Sequence, residues 1–114
     1  MKRGPESRRG PLLFVVIRVR GPAWQSQHPM HEQRAWREHA AFMNGLAKSR
    51  VIVLGGPLGE GQRVLHIVEA DSEHAVRQHF ALDPWEPMSL LRTESVEPWK
   101  VLLDRDAPNQ PRAG

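Results

Sequence analysis

LLFVVIRV, residues 12–19, is β-branched, aromatic and leucine-rich, which predicts a strand, and Gly21 and Pro22 end it. Successive side chains of a strand face opposite sides. Phe14 and Val16 therefore point one way and Val15, Ile17 and Val19 the other, and both sets are apolar. A sheet built around this strand needs a cover on each face.

Outward from this run, Pro29 suits the first position of a helix, and the helical pattern continues to Arg50. At 100° per residue Trp36, Ala40, Met43, Leu46 and Ala47 share a stripe with Phe42 at its edge, while Arg34, Arg37, Glu38, Asn44 and Lys48 lie opposite. Residues 51–54 read as a short strand closed by Gly55-Gly56-Pro57, with a turn at Gly59-Glu60-Gly61. A strand over 64–70 follows, then a helix capped by Asp71 or Ser72 and carrying Ala75, Val76 and Phe80. Beyond the Asp83-Pro84-Trp85 corner, residues 90–103 read as a final strand, broken or bulged at Pro98. The order strand, helix, strand, strand, helix, strand predicts an α+β, ferredoxin-like βαββαβ fold with a four-stranded antiparallel sheet. Two helices cover one face only, so a homodimer packing sheet on sheet is expected to cover the other.

The 114 residues suit one domain. Its bounds are read as a flexible basic leader at 1–11, a folded domain at 12–103 and a flexible tail at 104–114. Lys2, Arg3, Arg8 and Arg9 against Glu6 give the first ten residues all of the chain's net charge of +3. The body is neutral, so a basic face for nucleic acid is not expected. With no cysteine, disulfides, thiolate nucleophiles and cysteine-bound metal centres are excluded. The longest apolar run, 12–17, is too short to span a membrane and ends without a signal-peptide cleavage site. A cytoplasmic protein is expected.

His39 stands out because it sits on the apolar arc among Trp36, Phe42, Met43 and Leu46. It reads either as a core histidine satisfied by a backbone carbonyl or as an acid–base group oriented by a carboxylate. Asp83 before Pro84 reads equally as a helix cap. Gly55-Gly56-Pro57 reads as a plain turn or as backbone lining a ligand; it is no phosphate loop, since no Gly-Lys-Ser/Thr follows. His28 and His31 have a possible ligand spacing but no convincing partner acid, His74 and His79 are five apart on a helix, and no role is read for His66, so neither metal nor cofactor is expected. Trp24, Trp36, Trp85 and Trp99 are each read first as core or contact residues.

Arg37-Glu38-His39 with Phe42 and Leu46, Gly55-Gly56-Pro57-Leu58, the helix over 72–80, Asp83-Pro84-Trp85 and Val96-Glu97-Pro98-Trp99 together resemble the YCII-related family of the dimeric α/β-barrel group. The resemblance spans about 12–103. Two positions depart from it: Ser49-Arg50, where the family usually has a glycine before its second strand, and Ser89, where it has one after the corner. The resemblance implies a dimer of the α/β-barrel type and a His–Asp dyad, here His39 and Asp83. Trp36 and Trp85 would flank it, and Gly55, Gly56 and Pro57 would complete a substrate pocket. It implies proton transfer, since the family includes a ring dehydrochlorinase: elimination or isomerisation of a small cyclic or aromatic compound. The alternative is a non-catalytic dimeric module that binds a small ligand or a protein.

Overall fold

In the computed structural model, which describes residues 12–106, the apolar run forms β1 (Leu12–Arg20). It is followed by a 3₁₀ turn (Met30–Glu32), α1 (Trp36–Lys48), β2 (Ile52–Leu58), β3 (Arg63–Ala70), α2 (Glu73–Ala81) and β4 (Leu91–Trp99). The sheet order is β2-β3-β1-β4 and every pairing is antiparallel, which is the ferredoxin-like βαββαβ arrangement. The leader at 1–11 and residues 107–114 of the tail lie outside the described residues.

The central position of β1 follows from its two apolar faces. Phe14, Val16 and Arg18 are buried on the helix side. There Phe14 and Val16 pack with Val68, Ala70 and Val96 of the sheet, Leu46 of α1, and Val76 and Phe80 of α2. On the opposite face Leu13, Val15, Ile17 and Val19 lie beside Leu65 and Ile67, with Leu54 and Trp99 exposed. No helix lies on that face among the described residues.

Three boundaries differ from the sequence reading. The first helix starts at Trp36, not Pro29, because the buried Gln33 amide ties the preceding loop. Its Nε2 donates to the carbonyls of Gln25 (2.8 Å) and His28 (3.0 Å), its Oε1 accepts from Gln25 N–H (3.0 Å), and Ala35 at φ 57° breaks the spiral. The buried line of α1 then runs through His39 and Leu46, leaving Ala47 exposed. Gly55-Gly56-Pro57 is not a turn but part of β2, paired with His66, Leu65 and Val64. Pro57 is tolerated because β2 is an edge strand. The last strand ends at Trp99, and its irregularity lies at Glu94, which is skipped between the pairs Ile17–Ser95 and Arg18–Thr93. Pro98 pairs with Phe14 on the other edge strand. At α2 the cap is Ser72, whose hydroxyl accepts from Ala75 N–H at 3.1 Å.

Arg50 (φ 71°) and Ser89 (φ 61°) occupy the left-handed region, at the two places where the resembled family usually carries glycine. Ser89 is pinned there because Gly21 presses on its carbonyl: a Cβ at Gly21 would collide with it, and Ala23 N–H donates to it at 3.0 Å. A non-glycine residue at positive φ costs roughly 1 kcal/mol or more, partly offset by glycine's greater freedom when unfolded. Arg50→Gly and Ser89→Gly should each stabilise the fold by about 0.5–1 kcal/mol, read as a rise of roughly 2–6 °C in thermal midpoint. Gly21→Ala should lower it.

Candidate functional site

Arg18 occupies the helix-facing side of β1, in line with Phe14 and Val16, and no part of it reaches solvent. A cation there requires compensation. Its Nη1 donates to Asp83 Oδ2 at 2.8 Å and its Nη2 to Glu86 Oε2 at 2.9 Å, while its guanidinium lies 4.8 Å from the centre of the Phe80 ring. Thr93 Oγ1 donates to the same Glu86 oxygen at 2.9 Å.

Asp83 is equally buried and accepts from three sides. Trp85 N–H donates to Oδ1 at 2.9 Å, closing a turn two residues on; the corner continues as turns, not as the helix that a capping role would start. Arg18 holds Oδ2, and His39 Nδ1 lies 3.0 Å from Oδ1 and 2.9 Å from Oδ2. One carboxylate thus terminates the corner and orients the imidazole. Burial alone would raise the Asp83 pKa, but the hydrogen bonds from His39, the Trp85 backbone and Arg18, with the Arg18 charge, hold it below the ordinary carboxylate value. An ionised carboxylate only accepts, so His39 Nδ1 carries the proton of that bond.

The ring of His39 is fixed by its face as well as its edge. It stacks on Trp85 with centroids 3.8 Å apart and planes 5° from parallel. Trp85 is anchored in turn by Nε1–H to the Arg34 carbonyl at 2.6 Å and by an edge contact with Trp24 at 5.6 Å. With Nδ1 engaged, Nε2 has no hydrogen-bond partner among the described residues. His39 lines a cavity of about 500 Å³, within the range of small-molecule sites.

Trp36, Gly55, Gly56, Pro57 and Trp85 all line this cavity, so every residue expected in the pocket is brought together with His39, and Asp83 stands behind it. The glycines act differently from the expectation of a loop. Gly55 pairs with His66 across the β2–β3 ladder, and a Cβ there would sit 2.5 Å from His66 Nδ1. Its bareness makes room for that ring. Four participants escaped the sequence reading: Arg18, Glu86, Arg20 and His66, the last two of which also line the cavity. Among the described residues no group of three or more His, Asp or Glu is placed to hold a metal ion, and His28 instead meets Glu32 at 3.1 Å on the exposed surface. No helix among them is long and apolar enough to cross a membrane.

His66 is buried beside Phe80, and its Nδ1 has no partner. Burial, reinforced by the charges of Arg18 and His39 and opposed by Asp83, pushes its pKa down from 6.5 to about 4. Between these values the unfolded chain binds a proton that the folded chain refuses. His66 therefore costs no stability above pH 6.5, and its burial removes up to about 3 kcal/mol as pH falls to 4. Urea midpoints should decline over this window, and His66→Gln should flatten the decline; an unchanged slope in the variant would contradict the assignment.

In comparisons with known proteins, no family model, no curated protein and no solved structure matches the chain.

Proposed function

We propose that the chain is a small-molecule enzyme of the YCII-related type, in which His39 and Asp83 form a dyad for proton transfer. The observation that carries this reading is the bond from His39 Nδ1 to a buried, ionised Asp83 while the same ring lines a cavity. Asp83 and Glu86 against Arg18 leave the buried cluster one negative charge, which an imidazolium at His39 would balance. The Trp85 face beneath the ring fixes its plane. His39 Nε2 takes a proton from a carbon or hydroxyl of the substrate. In an elimination the released electron pair forms a double bond as a leaving group departs with its own pair. In an isomerisation the imidazolium returns the proton at another atom. Trp36 and Trp85 supply apolar walls suited to a small cyclic or aromatic compound.

The test is turnover of halogenated ring diols and cyclic ketones, followed by NMR. His39→Asn should abolish any turnover, and Asp83→Asn should lower kcat by about 10²–10⁴ while the fold persists by circular dichroism. Wild-type rates in folded variants would overturn the dyad. Capture of a cavity ligand that is released unchanged would instead favour a binding module.

The working form in this proposal is a cytoplasmic homodimer, with the apolar sheet face carrying Leu13, Val15, Ile17, Leu54 and Trp99 packed against a second copy. Light scattering at micromolar concentration should give twice the 13.0 kDa chain mass. Leu54→Glu should shift the protein toward the monomer, and a monomeric wild type would reject this assembly.

A further inference from the structure

Two arginines, one turn of the pleat apart on the same face of β1, meet opposite fates. Arg18 is neutralised by two carboxylates. Arg20 has no ion-pair partner among the described residues; the buried Nε of each arginine lacks a hydrogen-bond partner among them, so what sets Arg20 apart is its unmatched charge. A half-buried guanidinium with an orphaned donor is an unfinished arrangement in a folded protein, where polar groups removed from water are ordinarily paired.

Arg20 is nevertheless held in place. Its guanidinium carbon lies 4.7 Å from the centre of the Trp24 ring, so one face is taken by the indole. The edges of the planar fork, which carry its N–H donors, suit a carboxylate's two oxygens. Arg20 and Trp24 both line the cavity that His39 lines, and no aspartate or glutamate is among its wall residues. The Arg18 charge is compensated behind the wall, leaving Arg20 as the one uncompensated charge at its surface. His66 lines the same wall, but its Nδ1 is itself sealed from solvent beside Gly55, and the ring, neutral near pH 7, adds no charge that competes with Arg20. The remaining wall is tryptophan, methionine, glycine and aliphatic surface apart from Asn44.

We propose that the cavity takes a small organic acid, a ring or short chain bearing one carboxylate, and that Arg20 is the residue that pairs with that carboxylate. The acid group lies against the Arg20 fork and the apolar body against Trp36 and Met43. This assignment names the substrate class for the site described under the proposed function and rests on the cavity being that site.

Phenylacetate and its neutral amide, phenylacetamide, are nearly the same shape and differ in charge. Binding of each to the full chain is followed by calorimetry and by tryptophan fluorescence. Phenylacetate should bind at least about 10-fold more tightly, the scale of one charge-assisted bidentate contact. Arg20→Gln should bring the acid down to parity with the amide and leave the amide's affinity within about twofold, because only the ion pair is lost. Arg20→Lys, which keeps the charge without the fork, should fall between. Failure of phenylacetate to bind at millimolar concentration, equal affinity for acid and amide, or a preference that survives Arg20→Gln in a folded variant would each overturn the assignment. His39→Asn separates this inference from the dyad: it should keep the anion preference. Loss of turnover there with the preference intact bears on the dyad alone, and loss of the preference would transfer the anion site from Arg20 to His39.

Discussion

The ion pair between Arg18 and Asp83, both sealed from water, is the constraint on which the site depends. Removing Arg18 would leave two buried carboxylates without their cation, at a cost of roughly 3–5 kcal/mol, whereas Arg18 without Asp83 would keep Glu86. The pair links three parts of the fold. Arg18 sits at the centre of the sheet, Asp83 and Glu86 belong to the connection between α2 and β4, and His39 arrives from α1. The corner is therefore held to the sheet by charge, and α1 is held to the corner by the imidazole. The apolar core of Phe14, Val16, Val68 and Phe80 packs the helices, but it does not choose which carboxylate oxygen faces which donor.

The fold was legible in the sequence because its signals are periodic. The two-sided run of β1, the helical stripe containing Trp36 and Leu46, and the strand over 64–70 each obey one spacing, and together they give the βαββαβ order. What failed was local. Nothing in Pro29 to Ala35 announces that the Gln33 side chain will replace backbone helix bonds in that loop. Gly55-Gly56-Pro57 looks like a turn because glycine and proline usually mark one, whereas an edge strand accepts proline and His66 requires a bare neighbour. His39 could be named from its place on an apolar arc; its pairing with Asp83 and the walls of the pocket came only with the family resemblance, since residue type alone reads Asp83 as a cap and the walls as turn and core. Arg18 was legible in principle, since it shares the parity of Phe14 and Val16 and so points a cation inward. Its partners were not, because Glu86 is brought to it by a corner whose path no local pattern encodes.

The two faces of the sheet have divided their work. The helix side carries the charge cluster, the cavity and the core, and among the described residues it leaves three buried nitrogens without a partner, Arg18 Nε, Arg20 Nε and His66 Nδ1. The opposite side is apolar along β1 and at Leu65 and Ile67 of β3, between Arg63 and Glu69, and carries none of that chemistry. A substitution at Leu13, Val15 or Ile17 of that outer face leaves the cavity lining untouched, because strand alternation sends neighbouring residues to opposite destinations.

The tripeptide corner sets a tolerance. Asp83 grips the imidazole by its edge and Trp85 by its face, and the two are joined by only one intervening residue and by their own hydrogen bond. Their relative placement is therefore fixed by a few backbone torsions and owes nothing to how far the sheet twists or the helices slide. The clamp is one piece of the corner, tied to the sheet through Arg18, and α1 delivers the ring to it. A change of sequence that spares Arg18, the residues at 83, 85 and 86 and the helix register that delivers position 39 therefore leaves this geometry in place.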